Sequence, residues 1–221
     1  MDATPPPRSG ARSRNNPRGQ GERLRADIIT TATKMLDVLA DDQALSMRAV
    51  AREVGIAATS VYLHFADRDA LVLATLEHCH RDIMRAMEAA EAAAADPADA
   101  LRARTLLLGT WAQDHAGLYK VLYESTLNQR VEMRFKQDFR ESCVAAVERC
   151  VEAGLAAPCD PRAMALDLMA AVHGSVSMRI NRCDTPWPPF PDQLDRFLQG
   201  LVGLRPRAGA KGRGELRGQP D

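Results

Sequence analysis

Residues 45–65, LSMRAVAREVGIAATSVYLHF, admit few local structures. Ser46 stands where its hydroxyl can accept an early backbone N–H and start a helix. Met47, Val50 and Val54 recur at i, i+3 and i+7, which makes one buried stripe. Gly55 follows the last apolar position, where a left-handed residue ends a helix without Cβ strain. Val61 and Phe65, four apart, bury a second short helix, and Ala58, Thr59, Tyr62 and Leu63 fall on its outward side. Two short helices across a glycine turn form a helix-turn-helix, whose second helix reads the DNA major groove. The same pattern also fits an ordinary helical hairpin with Tyr62 in its core.

Gly55-Ile56-Ala57-Ala58-Thr59-Ser60-Val61-Tyr62-Leu63-His64-Phe65, followed by Asp67-Arg68-Asp69-Ala70-Leu71, resembles the TetR family of bacterial transcription regulators. Its members carry a G-[VI]-S-x-x-[ST]-[LIV]-Y-x-[HY]-F run and then a [DSN]-[KR]-[DE]-x-L helix start. The likeness covers residues 22–75. One departure stands out: the family's usual Ser at the start of the recognition helix is Ala57 here. Losing such a cap costs about 0.5–2 kcal/mol, so this helix is expected to order fully only on DNA.

The resemblance implies roles position by position. Thr59, Tyr62 and Ala58 face base edges. Ser60, Tyr62 and His64 meet phosphates, and Arg68 does so from the next helix. Arg48 matches a position that reaches guanine, where arginine bonds O6 and N7 together. Ala58 and Leu63 offer no hydrogen bonds and are left with thymine methyl groups. Direct readout is therefore thin, and DNA shape is expected to add specificity.

The charge distribution is uneven. The 29 basic and 29 acidic residues cancel. Residues 1–25 carry Arg8, Arg12, Arg14, Arg18, Arg23 and Arg25 against Asp2 and Glu22. Residues 26–68 carry four basic and six acidic residues, so the head itself is not basic. Strong, salt-tolerant nonspecific DNA binding is not expected of it. No apolar run is long enough for a membrane span, and the N-terminus lacks the apolar stretch of a secretory signal. The expected setting is the cytoplasm, with the nucleoid.

The chain reads as all-α, with about nine helices and no alternating strand pattern. Residues 1–21 read as a disordered basic arm, either inert or laid along the minor groove. Residues 22–68 form the DNA-binding head, with its motif at 45–64. Residues 69–204 form a helical ligand-binding and dimerisation region, and 205–221 a disordered tail. The expected helices outside the motif span 22–41, 67–93, 98–113, 116–123, 128–153, 160–182 and 191–204.

The five cysteines, Cys79, Cys143, Cys150, Cys159 and Cys183, fit no zinc spacing. In His78-Cys79-His80 the three side chains point to different helix faces, so no metal site is expected. No cofactor is expected.

Residues 169–181, MAAVHGSVSMRIN, followed by Pro186-Trp187-Pro188-Pro189, are similar to one C-terminal TetR subtype, in which such helices shape a ligand cavity and a dimer interface. Gly174 among small residues makes a thin helix that another helix can approach closely. With Met178, Leu194, Phe197 and Leu201 it supplies half of a dimer interface, or else packs within its own chain. A twofold dimer suits a palindromic operator.

Trp111, His115 and Tyr119 lie at i, i+4 and i+8 and share one face if their helix runs unbroken. With Met169 and His173 they are candidates for a pocket that holds a small, mostly apolar effector. Each of them equally suits a satisfied core.

The function expected from the resemblance is a ligand-responsive repressor that acts as a homodimer on double-stranded DNA. The alternatives are a helical protein-interaction module without DNA binding, and an enzyme. Against the enzyme, the sequence contains no nucleophile elbow, phosphate loop or paired carboxylates.

Overall fold

In the computed structural model, residues 18–182 and 184–205 are described; the basic arm expected before residue 18, Cys183 and the tail expected after Arg205 lie outside them. The described residues contain helices, turns and loops and no strand. In chain order the helices are α1 (Arg18–Leu39), α2 (Met47–Val54), α3 (Ala58–Tyr62), α4 (Arg68–Ala92), α5 (Pro97–Asp114), α6 (Ala116–Glu124), α7 (Leu127–Arg130), α8 (Phe135–Glu152), α9 (Pro161–Asn181) and α10 (Phe190–Phe197), which runs on into a π-helical turn, Leu198–Val202.

Local chemistry sets most of these boundaries. The Ser46 hydroxyl accepts from Ala49 N at 3.1 Å, and Gly55 closes α2 in the left-handed region at φ +80°. Asp67 starts α4 by accepting from Ala70 N at 2.7 Å. Asp96 and Asp160 do the same for α5 and α9, each followed by a proline at the first helical position.

Several expected boundaries shift. Helix α1 begins at Arg18, so residues 18–21 belong to it and not to the arm. Helix α3 ends at Tyr62, short of Phe65. The single helix expected over 128–153 is two, α7 and α8, separated by residues 131–134. The helix expected over 191–204 passes into the π-helical turn after Phe197.

The core does not divide where the sequence divides. Ile28, Leu36, Val50, Val61 and Phe65 of the head share one buried cluster with Leu118, Val121, Leu122 and Leu127 of α6 and α7. A second cluster joins α5, α6, α8, α9, α10 and the π-helical turn around Tyr119, Val147, Val172 and Leu194. Helix α4 spans both regions: Leu71, Val72 and Leu76 sit in the head cluster, and Met87 lies deep in the body with Ile83 and Phe139.

Candidate nucleic-acid interface and ligand cavity

The outward face of α3 is composed as its sequence requires. Val61 and Phe65 are buried, which turns Thr59, Tyr62 and Leu63 to solvent. Tyr62 is 52% exposed and Leu63 is 85% exposed. Ala58, Ser60 and His64 are half-buried along its edges, and Arg48 is exposed on α2. Ala57 has the extended backbone of a cap (φ −68°, ψ 142°) but no side chain that can accept a hydrogen bond. Beside this face, the Arg25 guanidinium lies 5.0 Å from the centre of the Phe65 ring.

Arg68 is less free than the sequence suggests. Its guanidinium bonds Asp69 at 3.2 Å and donates to Gln43 O at 3.4 Å. Asp69 also pairs with Arg130 of α7 at 2.9 Å. Arg130 reaches in addition to Asp42, 2.9 Å away and only 2% exposed. Asp42 further accepts from Ser125 Oγ and from Gln43 Nε2. The loop before α2 is thus tied to the segment after α6 by charge-assisted hydrogen bonds, which are stronger than neutral ones.

A second tie joins α1 to α6. Asp37 accepts from Gly117 N at 3.1 Å and Leu118 N at 3.2 Å, and meets His115 Nδ1 at 3.0 Å. A carboxylate from a distant helix therefore caps the N-terminus of α6. Gly117 is required there, because a Cβ would stand 1.8 Å from the Asp37 carbonyl oxygen.

Between α4, α5, α6, α8 and α9 lies a cavity of about 320 Å³, mostly lined by hydrocarbon. Tyr119, Met169 and His173 line it, as the sequence suggested. Trp111 and His115 do not. The chain breaks at His115 (φ −124°, ψ 54°), so the stripe expected through residues 111, 115 and 119 does not continue on one face. Trp111 and His115 instead line a separate groove between α1, α4 and α5.

The cavity wall holds residues that the pattern missed, among them Leu101, Arg104, Phe139, Cys143 and Val147. Arg104 is the one with a visible signal, a charge inside the apolar run of α5. Tyr119 and His173 share a hydrogen bond of 2.6 Å, and Tyr123 stacks beside both.

The cavity wall connects physically to the head. The Lys136 ammonium sits 5.2 Å from the centre of the Tyr123 ring and donates to Leu122 O and Asn128 Oδ1. Asn128 Nδ2 donates to Ser125 O, and Ser125 Oγ reaches Asp42. Burial pushes the Lys136 ammonium down to about 8.

The remaining sequence candidates separate into two groups. Leu194 is fully buried in its own chain, and Phe197 and Leu201 pack on the same cluster. Leu194 is therefore a core residue and is not available at a dimer surface. By contrast, Leu166, Ala170, Gly174 and Met178 recur every four residues along α9, and Leu166 and Met178 are 50% and 48% exposed. Nothing lies within 4 Å of where a Gly174 Cβ would be.

In the His78-Cys79-His80 run, Cys79 and His80 are buried while His78 faces Asp82 at 3.6 Å. Among the described residues no cluster of His, Cys, Asp and Glu is arranged to hold a metal, and no helix is long and apolar enough to cross a membrane.

These features agree with the comparisons to known proteins. Residues 29–75 match the family described as bacterial regulatory proteins, tetR family. Residues 102–202 match the tetracyclin repressor-like C-terminal domain. The fatty acid degradation regulator FadR from Bacillus halodurans shares the fold at a TM-score of 0.69 and 14% identity, over 88% of this chain and 100% of that one. A putative transcriptional regulator from Pseudomonas aeruginosa PAO1 matches at 0.67 and 19%, over 86% and 94%. FadR from Bacillus subtilis, in complex with stearoyl-CoA, matches at 0.66 and 13%, over 80% and 97%. Proteins of this kind are regulators and not enzymes. The two matched regions, one over the helix-turn-helix and one over the helices that enclose the cavity, place the chain in the TetR family of DNA-binding transcriptional regulators.

Proposed function

We propose that the protein is a ligand-responsive repressor that binds a palindromic operator as a homodimer, in the cytoplasm with the nucleoid. Residues 22–68 act as the head and 69–204 as the ligand-binding and dimerisation region. The observation that carries this reading is the single helix α4, which reaches from the head core to Met87 in the cavity wall. A small, mostly apolar effector in the cavity favours one placement of α4, and DNA favours another, so each lowers affinity for the other by linkage.

In the head, Thr59, Tyr62 and Ala58 meet base edges, with Leu63 left to thymine methyl groups. Ser60, Tyr62 and His64 meet phosphates. Arg68, already paired with Asp69, contributes less phosphate binding than a free arginine does. Arg48, exposed on α2, reads a guanine. Gly174 and Met178 of α9 supply the dimer surface, because Met178 is exposed and the helix at Gly174 is thin enough for close helix approach.

The Bacillus subtilis neighbour holds stearoyl-CoA. A CoA ester brings phosphates, and in this chain Arg104, the permanently charged residue in the lining, is already paired with Glu91 at 2.9 Å.

Selection of the purified protein against random duplex DNA at near-physiological salt tests the reading. The expected result is an enriched palindrome. With that operator in hand, Arg48→Ala costs about 1–3 kcal/mol at one base pair and little elsewhere. Failure of a folded, dimeric protein to enrich any sequence counts against the proposal, as does an equal loss across all sequences for Arg48→Ala.

A further inference from the structure

The chemistry of the cavity narrows what it accepts, taking as given the reading that it is the effector site. Its one permanent charge is self-contained. Arg104, 2% exposed, pairs with Glu91 and donates to Ser142 O at 2.9 Å and Ser142 Oγ at 2.7 Å. Thr105 is likewise occupied, donating to Leu101 O at 2.7 Å. Burial pushes the Tyr119 and Tyr123 phenols and the Cys143 thiol up, so all three stay neutral at physiological pH. A carboxylate or phosphate entering this space exchanges water for a wall without an unengaged guanidinium or ammonium group, which is strongly unfavourable.

Two polar groups on the wall are unengaged. The Tyr119 hydroxyl is taken by His173 Nδ1 at 2.6 Å. The Tyr123 hydroxyl makes no hydrogen bond among the described residues. Every fully covered side-chain nitrogen or oxygen among the described residues has a partner, so the Tyr123 oxygen is not fully covered, and its residue lines the cavity. The same holds for His173 Nε2. The two rings are neighbours in the wall, 5.4 Å apart between centres. At about 320 Å³ the cavity lies near the lower end of small-molecule sites.

We propose that the cavity binds an uncharged, predominantly apolar molecule with a single oxygen function, such as an alcohol, phenol or ketone, and that the Tyr123 hydroxyl and His173 Nε2 hold that oxygen. Recognition and response then meet in one residue, because the Tyr123 ring also carries the Lys136 ammonium. A ligand that draws on the Tyr123 hydroxyl acts on the contacts that lead through Asn128 and Ser125 to Asp42.

Calorimetric titration of the full chain with naphthol and decanol, against naphthoate and decanoate, tests this. At least one alcohol binds, and its carboxylate counterpart binds about 10-fold more weakly or not at all. Tyr123→Phe lowers alcohol affinity about 5- to 10-fold, the worth of one hydrogen bond, while the melting temperature stays close to that of the native chain. A carboxylate that binds as tightly as its alcohol overturns the proposal, and so does the failure of both alcohols to bind. If Tyr123→Phe unfolds, the alcohol-to-carboxylate ratio in the native chain decides alone.

Operator binding measured in parallel separates the two readings. Intact operator binding without alcohol binding overturns the effector class and leaves the regulator standing. Alcohol binding that leaves operator affinity unchanged overturns the cavity's role in control while the ligand class survives.

Discussion

Ala57 shows how much one side chain decides in the head. Its backbone already has the conformation of a helix cap, so the only missing part is an acceptor. Ala57→Ser supplies it without moving the chain, and should stabilise the head by about 0.5–1 kcal/mol. If part of α3 orders only on DNA, the same change tightens operator binding by about 2- to 5-fold. Thermal unfolding and operator titration check the two effects separately. Single-residue chemistry of this kind was fully legible in the sequence. Ser46, Gly55 and Asp67 perform the roles their types predict, because caps and turns depend on neighbours within a few positions. Arg68 was not legible in this way, since Asp69 is adjacent but Arg130 and Gln43 come from elsewhere in the chain.

At the scale of elements, the sequence found helices better than it found their ends. The break at His115 follows from Asp37, which lies 78 positions earlier and captures the first N–H groups of α6. No window along residues 111–119 contains that information. For this reason Trp111 and His115 line the groove between α1, α4 and α5, while Tyr119, Met169 and His173 line the cavity.

Lys136 is a further long-range feature. Its amine is half-buried where α6, α7 and α8 meet. Burial lowers it from its ordinary 10.5 to about 8. Between those values the unfolded chain holds a proton that the folded chain has released, so this residue makes stability rise with pH through that window and level off below it. Lys136→Met should abolish that rise. Denaturant midpoints of the two proteins across the window, compared as a difference, cancel the opposing contribution of the buried thiols. Parallel curves for the two proteins refute the assignment.

For the whole molecule, exposure sorts the residues first grouped as a dimer surface. Leu194 belongs to the chain's own core, and Leu194→Ala should cost about 2–5 kcal/mol of stability while leaving the oligomeric state of the folded fraction intact. Met178→Glu should do the reverse. It is half-exposed in the single chain, so its folding cost is small, but in the proposed dimer two such charges meet across the twofold axis. Sedimentation should find a folded monomer with weakened binding to a two-half-site operator. The fold class and the head were legible because helical periodicity and the motif are local properties. The cavity was not, because it is enclosed by five helices whose mutual placement rests on contacts such as Arg104 and Arg149 with Glu91.

The length of α4 has a mechanical consequence. With 25 residues at a rise of about 1.5 Å each, it is roughly 37 Å long. Its cavity end lies among Ile83, Met87 and Phe139, and its other end is rooted in the core of the head. A tilt of about 5° about the cavity end sweeps the head end through roughly 3 Å over that length. In a twofold pair the two sweeps oppose each other, and the separation of the recognition helices changes by about twice as much. Half-sites on B-DNA recur every 34–36 Å or so, and a change of that size takes two recognition helices out of step with them. On the function proposed above, the molecule is in effect a caliper: a displacement at the cavity too small to unfold anything becomes, at the head, the difference between two grooves in register and two grooves missed.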